Sequence, residues 1–123
     1  MCDLANRARA LMRAALPNST EQVKLGWKLV GVYLPAGPAR KAYVGFILPH
    51  AESVSLGFEY GVLLDDPGGV LLGESERLKR VRYVSLRSAA DLDPVLHGRF
   101  ARQAGELALM PRLLREQLLY SRR

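Results

Sequence analysis

The chain has 123 residues, of which 49% are hydrophobic and 24% are charged. This composition excludes a disordered chain, and the length indicates one folded domain over residues 1–123. No apolar run is long enough to cross a membrane, and the single cysteine, Cys2, excludes an internal disulfide and favours a cytoplasmic protein. The net charge of +6 would attract polyanions, although a solvated basic surface is the more common meaning of such a balance.

The start of the chain predicts two helices. Apolar residues at helical spacing indicate a first helix over residues 3–16, which Pro17 ends. A capping box within residues 18–22 predicts a short second helix that stops near Gly26.

The middle of the chain predicts a sheet, because runs rich in β-branched and aromatic residues alternate with short links that contain Pro and Gly. The predicted strands are Lys28–Leu34, Ala42–Leu48, Ser53–Phe58 and Arg82–Arg87. Short links imply antiparallel neighbours. Residues 59–80 are expected to be irregular.

The end of the chain predicts helices again. A long helix starts either at Ser88 with Asp91 or at Asp93 with Pro94, and Pro111 breaks it. Residues 112–121 are expected to form a further helical tail. The predicted fold is α+β, with an antiparallel sheet of four to six strands and helices at both chain ends.

The stretch "GGVLLGES" (residues 68–75) differs by one letter from a phosphate-binding loop. Glu74 takes the place of the lysine and would repel phosphate, and the turn "DDPGG" precedes the stretch where a strand is required. We therefore interpret it as a turn, with Pro67 fixing φ and Gly68 or Gly69 supplying positive φ.

Few other residues are candidates for metal binding or catalysis. Four acids, Asp65, Asp66, Glu74 and Glu76, are the candidates for a weak metal site, and ion pairs with the arginines and lysine that follow them are the alternative. His97 shares a helix face with Asp93 and is expected at the surface, but no third ligand is visible. Because the sequence also contains no recognisable nucleophile–base pair, we favour the interpretation that the protein is not an enzyme.

The strand pattern predicts a more specific site. With even-numbered residues of the strands facing the core, Gly31, Gly45 and Gly57 share the opposite sheet face, where glycines often mark the close approach of a ligand or another backbone. A hollow with the three glycines as its floor would have Tyr33 and Tyr43, and in addition Trp27, as its walls. A covering helix or bulges are the structural alternatives.

The chain resembles the YdhG-like family of small bacterial proteins over residues 4–110. The similarity lies in "EQVKLGWKLVGVYL", in "VSLGFEYGVLLDDPGGVLLGESERLKRVRYVSLRSAADLD" and in the helix that follows; the family pattern G-x-x-L-x-D-P-x-x-x-L-x-G is met by Gly61, Leu64, Asp66, Pro67, Leu71 and Gly73. The resemblance implies an α+β fold and, in one branch, frataxin-like iron handling. An acidic ridge on the first helix accompanies that activity, whereas this helix carries Arg7, Arg9 and Arg13.

These observations favour a non-catalytic binding module for a small molecule or a protein partner, with a second copy of the chain as one candidate partner and no cofactor. An iron or metal chaperone is the alternative. Nucleic-acid binding through the five bases of residues 77–87 is a further one, although no aromatic pattern of a nucleic-acid reader accompanies them.

Overall fold

The computed structural model describes residues 2–121 and confirms the α+β fold. In chain order its elements are α1 (Cys2–Ala15), β1 (Thr20–Lys24), β2 (Leu29–Pro35), β3 (Lys41–Pro49), β4 (Val54–Phe58), β5 (Arg82–Leu86), α2 (Pro94–Leu109) and α3 (Arg112–Ser121), with short 3₁₀ turns at Gly61–Leu63 and Ala89–Asp91. Each strand pairs antiparallel with the next, so the five-stranded sheet is a meander in the order β1-β2-β3-β4-β5.

The core lies between one face of the sheet and the two helices α1 and α2, which also contact each other. Phe58 of the sheet and Phe100 of α2 meet edge to face, with ring centroids 6.1 Å apart, and neither side chain is exposed to solvent. Such pairs add about 0.5–1.5 kcal/mol to the free energy of unfolding beyond the area that they bury.

Local signals set the limits of α2. The Asp93 carboxylate accepts hydrogen bonds from the backbone N–H groups of Val95 and Leu96, and Pro94 occupies the first helical position. Of the two predicted starts, this is the one that α2 uses. None of the helices that the structure describes is both long and apolar enough to cross a bilayer.

The predicted second helix is wrong, because residues 20–24 form the edge strand β1. Thr20 pairs with Tyr33 and Lys24 with Leu29. The carboxylate of Glu21, expected in a capping box, instead forms a two-point ion pair with Arg9 of α1 at 2.7 and 3.0 Å. Pairing with β2 and this contact with α1 override the local helix signal, as tertiary contacts commonly do.

A β-bulge in β3 makes part of the predicted face assignment wrong. Val32 pairs with Gly45 while Tyr33 pairs with Tyr43, which leaves Val44 as an additional residue without a partner on β2. An extra residue reverses the alternation of all residues beyond it. Ile47, predicted on the outer face, is therefore fully buried in the core, and Phe46, predicted in the core, lies on the outer face.

The prediction for His97 is also wrong, because only 3% of this residue is exposed. Its ring stacks on Phe100, and its Nδ1 accepts a hydrogen bond from the backbone N–H of Asp93 at 3.1 Å. Burial lowers the pKa of His97 below its ordinary value, and the nearby carboxylate of Asp93 opposes that shift only in part. The imidazole is thus neutral in the folded protein at neutral pH.

Acid should therefore weaken the fold through His97. The unfolded chain binds this proton near pH 6.5, whereas the folded chain resists it, so the free energy of unfolding falls as the pH drops below about 6.5. Urea titrations between about pH 7.5 and pH 5 measure this slope. We expect His97→Gln to flatten it. Equal slopes for the wild type and His97→Gln would contradict this assignment.

Candidate functional site

The structure separates the three glycines of the predicted face. Gly31 and Gly57 lie on the outer face, in register with Phe46 between them, whereas Gly45 lies on the core face opposite Phe58; all three glycines are buried. A Cβ on Gly45 would overlap the backbone carbonyl of Gly57. The glycine at position 45 thus allows two backbones to approach each other and does not form part of an open floor.

Aromatic rings cover the two outer glycines. The Tyr33 ring lies over Gly31, where an added Cβ would meet Cε1 at 3.0 Å, and the Phe46 ring lies over Gly57. Tyr33 also packs against Tyr43, with ring centroids 5.2 Å apart. The rings therefore occupy the space that the strand pattern predicted as a hollow.

Trp27, the third predicted wall, lies away from the tyrosines in the turn between β1 and β2. Its side chain is 78% exposed, and the neighbouring Leu25 is 83% exposed. Lys28 in the same turn has a φ of 57°, in the left-handed region. The structure brings together Tyr33, Tyr43 and Gly31 but not Trp27.

The four acids proposed for a metal site do not converge on one point, and two of them have separate structural contacts. The Asp66 carboxylate accepts hydrogen bonds from the backbone N–H groups of Val70 and Leu71, at 3.0 and 2.9 Å. The Glu76 carboxylate accepts a hydrogen bond from the hydroxyl of Tyr83, at 2.8 Å. Asp65 and Glu74 are exposed. Within residues 2–121 the structure contains no group of three or more His, Cys, Asp or Glu side chains placed to hold a metal ion.

The turn interpretation of residues 68–75 is confirmed. Gly69 has a φ of 64° and Gly73 a φ of 131°, and Leu72 forms an isolated bridge with Tyr83. No helix follows this segment as a phosphate-binding loop requires.

The basic segment 77–87 is partly engaged within the fold. Arg80 forms an ion pair with Glu59 at 2.8 Å, and Arg82 donates to the backbone carbonyls of Leu78 and Val81. Fewer free cations therefore remain along this segment than the sequence indicates.

A pocket of about 570 Å³ gathers polar groups at one end of the sheet. It lies between the turn that joins β2 to β3 and the junction of α2 with α3. The side chains that matter for its chemistry are Arg40, Lys41, Tyr43, Tyr60, Arg112 and Arg115. We call this site the basic pocket.

The basic pocket has an excess of positive charge. Arg40, Lys41 and Arg112 are exposed, and none of them has a carboxylate within 4.0 Å among the residues that the structure describes. Glu59 is the acid in the lining, and Arg80 neutralises it. An anion entering the pocket thus meets three cations without a competing partner.

Arg115 forms part of the inner wall. Its guanidinium lies 5.0 Å from the centroid of the Tyr60 ring, and Arg80 lies 5.4 Å from the same centroid. The Nη1 group donates to the carbonyls of Ala108 and Met110 at the end of α2. Its Nε–H is buried and has no acceptor among residues 2–121.

Tyr43 completes the pocket with a neutral hydroxyl. Burial raises the pKa of Tyr43 to about 12, and the nearby Glu59 and Tyr33 act in the same direction. The hydroxyl is therefore protonated throughout the physiological pH range, and it can donate a hydrogen bond to an anion. Tyr43 is the one predicted site residue that lines this pocket.

Comparison with protein-family models, with curated proteins and with solved structures gives no match to this chain. The resemblance to the YdhG-like family therefore stays a prediction, which rests on the sequence stretches quoted above.

Proposed function

We propose that this protein is a non-catalytic binding module of the cytoplasm that takes a small anionic ligand, a carboxylate or phosphate compound, in the basic pocket. The observation that carries the proposal is the convergence of Arg40, Lys41 and Arg112 on one concave site. They come from separate elements, the β2–β3 turn, the start of β3 and α3, and they line the same pocket as Tyr43.

The chemistry of these groups fits an oxyanion. A guanidinium presents parallel N–H donors that match a carboxylate or a phosphate, and a lysine ammonium adds a point charge. Tyr43 lines the same pocket with a hydroxyl that stays protonated. The pocket is large enough for a small organic anion, since ligand pockets span about 300–1,000 Å³.

Calorimetric titration with inorganic phosphate and with citrate tests the proposal. We expect saturable binding with one site per chain, and Arg112→Glu should weaken it by about tenfold or more, because reversing one charge removes a charge-assisted hydrogen bond. Added salt should weaken binding moderately, since the cations at the rim are exposed.

The matched control is Arg99→Glu, which changes the net charge equally at an exposed position in the first half of α2. It should bind both probes like the wild type. Equal loss in the two variants would indicate a non-specific charge effect and contradict the proposal, as would the absence of binding at millimolar probe. Stoichiometric binding of ferrous iron that is lost on changing Asp65 and Asp66 to Ala would favour a metal chaperone instead.

A further inference from the structure

The hairpin of β1 and β2 carries large apolar side chains at its turn that the fold does not cover. Val23, Leu25 and Trp27 are 64%, 83% and 78% exposed. A single exposed apolar residue is ordinary, but several close together on one turn mark a contact surface. We call residues 23–28 the hairpin tip.

Hydrogen bonds within the turn fix the backbone of the hairpin tip. The N–H of Trp27 donates to the carbonyl of Lys24 at 3.1 Å, and the N–H of Lys28 donates to the carbonyl of Leu25 at 3.2 Å. A Cβ on Gly26 would meet no atom within 4 Å, so the turn stands clear of the rest of the domain. Because these two N–H groups already have acceptors, they lose no hydrogen bond when the tip leaves water.

Positive charge surrounds the apolar side chains of the hairpin tip. Lys24 precedes the turn and Lys28 closes it, and neither has a carboxylate within 4.0 Å among residues 2–121. The ammonium of Lys24 lies 5.7 Å from the centroid of the Tyr33 ring, a contact that leaves its charge unneutralised. The sequence has no acid between Glu21 and Glu52, and the whole chain has a net charge of +6. The tip therefore combines an apolar centre with an uncompensated basic border.

We propose that the hairpin tip inserts into the surface of an anionic lipid membrane. Leu25 and Trp27 enter the boundary between headgroups and acyl chains, where tryptophan is enriched, and Lys24 and Lys28 contact the headgroups. The cytoplasmic leaflet of a cell membrane carries the negative surface potential that attracts such lysines. The contact lies at the membrane surface and requires no spanning helix.

The size and shape of the hairpin tip favour lipid over a protein partner. A stable protein–protein interface takes about 800 Å² from each partner, more than three side chains on one turn supply. A lipid surface is deformable and needs no pocket that matches a projecting turn. The tip also lies at the opposite end of β2 from the basic pocket, so the two sites are independent.

Trp27 is the only tryptophan of the chain, so its fluorescence reports the hairpin tip alone. The full chain is titrated with vesicles of phosphatidylglycerol and phosphatidylcholine. We expect the emission to move to shorter wavelength and lipids brominated in their acyl chains to quench it. Vesicles of phosphatidylcholine alone should bind about tenfold more weakly, because the attraction of the lysines is lost.

Leu25→Ser keeps the fluorescent reporter and should weaken binding to the anionic vesicles by about tenfold, because an inserted apolar side chain is removed. Lys28→Gln should weaken it by about fivefold, because one headgroup contact is lost. The matched control is Leu113→Ser, at a leucine that is 73% exposed on α3. It should bind the vesicles like the wild type.

Three results would overturn the proposal. The first is unchanged Trp27 emission at millimolar anionic lipid. The second is vesicle binding that leaves Trp27 unquenched, or that Leu25→Ser and Leu113→Ser weaken equally, because the protein would then bind through another surface. The third is a shift of Trp27 emission that grows with protein concentration in the absence of vesicles, which would favour contact between copies of the chain.

Discussion

Gly45→Val is expected to destabilise the fold by about 4 kcal/mol or more, which lies in the extreme tail of single substitutions. The reason is steric, because even the first carbon of the new side chain overlaps the backbone carbonyl of Gly57 on the neighbouring strand. Backbone atoms in the middle of a sheet cannot move aside without breaking the hydrogen bonds between β3 and β4. Urea unfolding followed by circular dichroism measures the change.

Gly26→Val serves as the control for this substitution. Gly26 is exposed in the β1–β2 turn, and an added Cβ there has no atom within 4 Å. Its effect should stay within about 0.5 kcal/mol. A Gly45→Val protein that is as stable as the wild type would show that position 45 is open, as the strand pattern alone had predicted.

Ile47→Ala is expected to lower the free energy of unfolding by about 2–5 kcal/mol, the usual effect of truncating a fully buried aliphatic side chain. Ile47 is 0% exposed and packs in the core, because the bulge at Val44 turns it inward. Phe46→Ala should cost less, about 1–2 kcal/mol, since its ring is only half-buried and covers Gly57 on the outer face.

The comparison of these two neighbours reports the register of β3 directly. Without the bulge, Phe46 would face the core and Ile47 would face outward, and the order of the two costs would reverse. A larger loss for Phe46→Ala than for Ile47→Ala would therefore contradict the observed register. Both variants should keep the circular dichroism spectrum of the wild type.

The sequence patterns correctly predicted the helices, strands and turns that neighbouring residues determine. Four strands, the first helix, α2 and the helical tail all appear close to their predicted positions. The Asp93–Pro94 start of α2 and the positive φ of Gly69 follow from capping and turn chemistry that neighbouring residues determine. The antiparallel pairing of β2, β3 and β4 follows from the short links between these strands.

The failures come from contacts between residues that are far apart in sequence. Residues 20–24 carry a helix signal, but pairing with β2 and the Arg9–Glu21 contact make them a strand. A bulge was one of the alternatives for the strand glycines, but the alternation of residues does not show which glycine it accompanies, so the face of Gly45 was assigned wrongly. His97 has a polar side chain on a helix, and only the packing of α2 on the sheet shows that it is buried.

The basic pocket could be predicted only in part. Tyr43 was identified from its place on a strand, but Arg40 and Lys41 lie in a segment that indicates only a turn. Arg112 and Arg115 belong to the helical tail, which was assigned no role. These groups meet because α2 returns along the sheet and places its end beside the β2–β3 turn. A convergence of this kind depends on topology, which residue patterns do not encode locally.

Amide chemical-shift mapping during a titration with citrate tests the proposed site most directly. The basic pocket predicts saturable shifts concentrated at Arg40, Lys41 and Arg112, with smaller changes at Tyr43 and at the end of α2. Shifts centred on Gly31 and Gly57, or on the turn that carries Trp27, would contradict the assignment and return the site to the outer sheet face. Shifts spread over all exposed basic residues without saturation would contradict specific binding altogether.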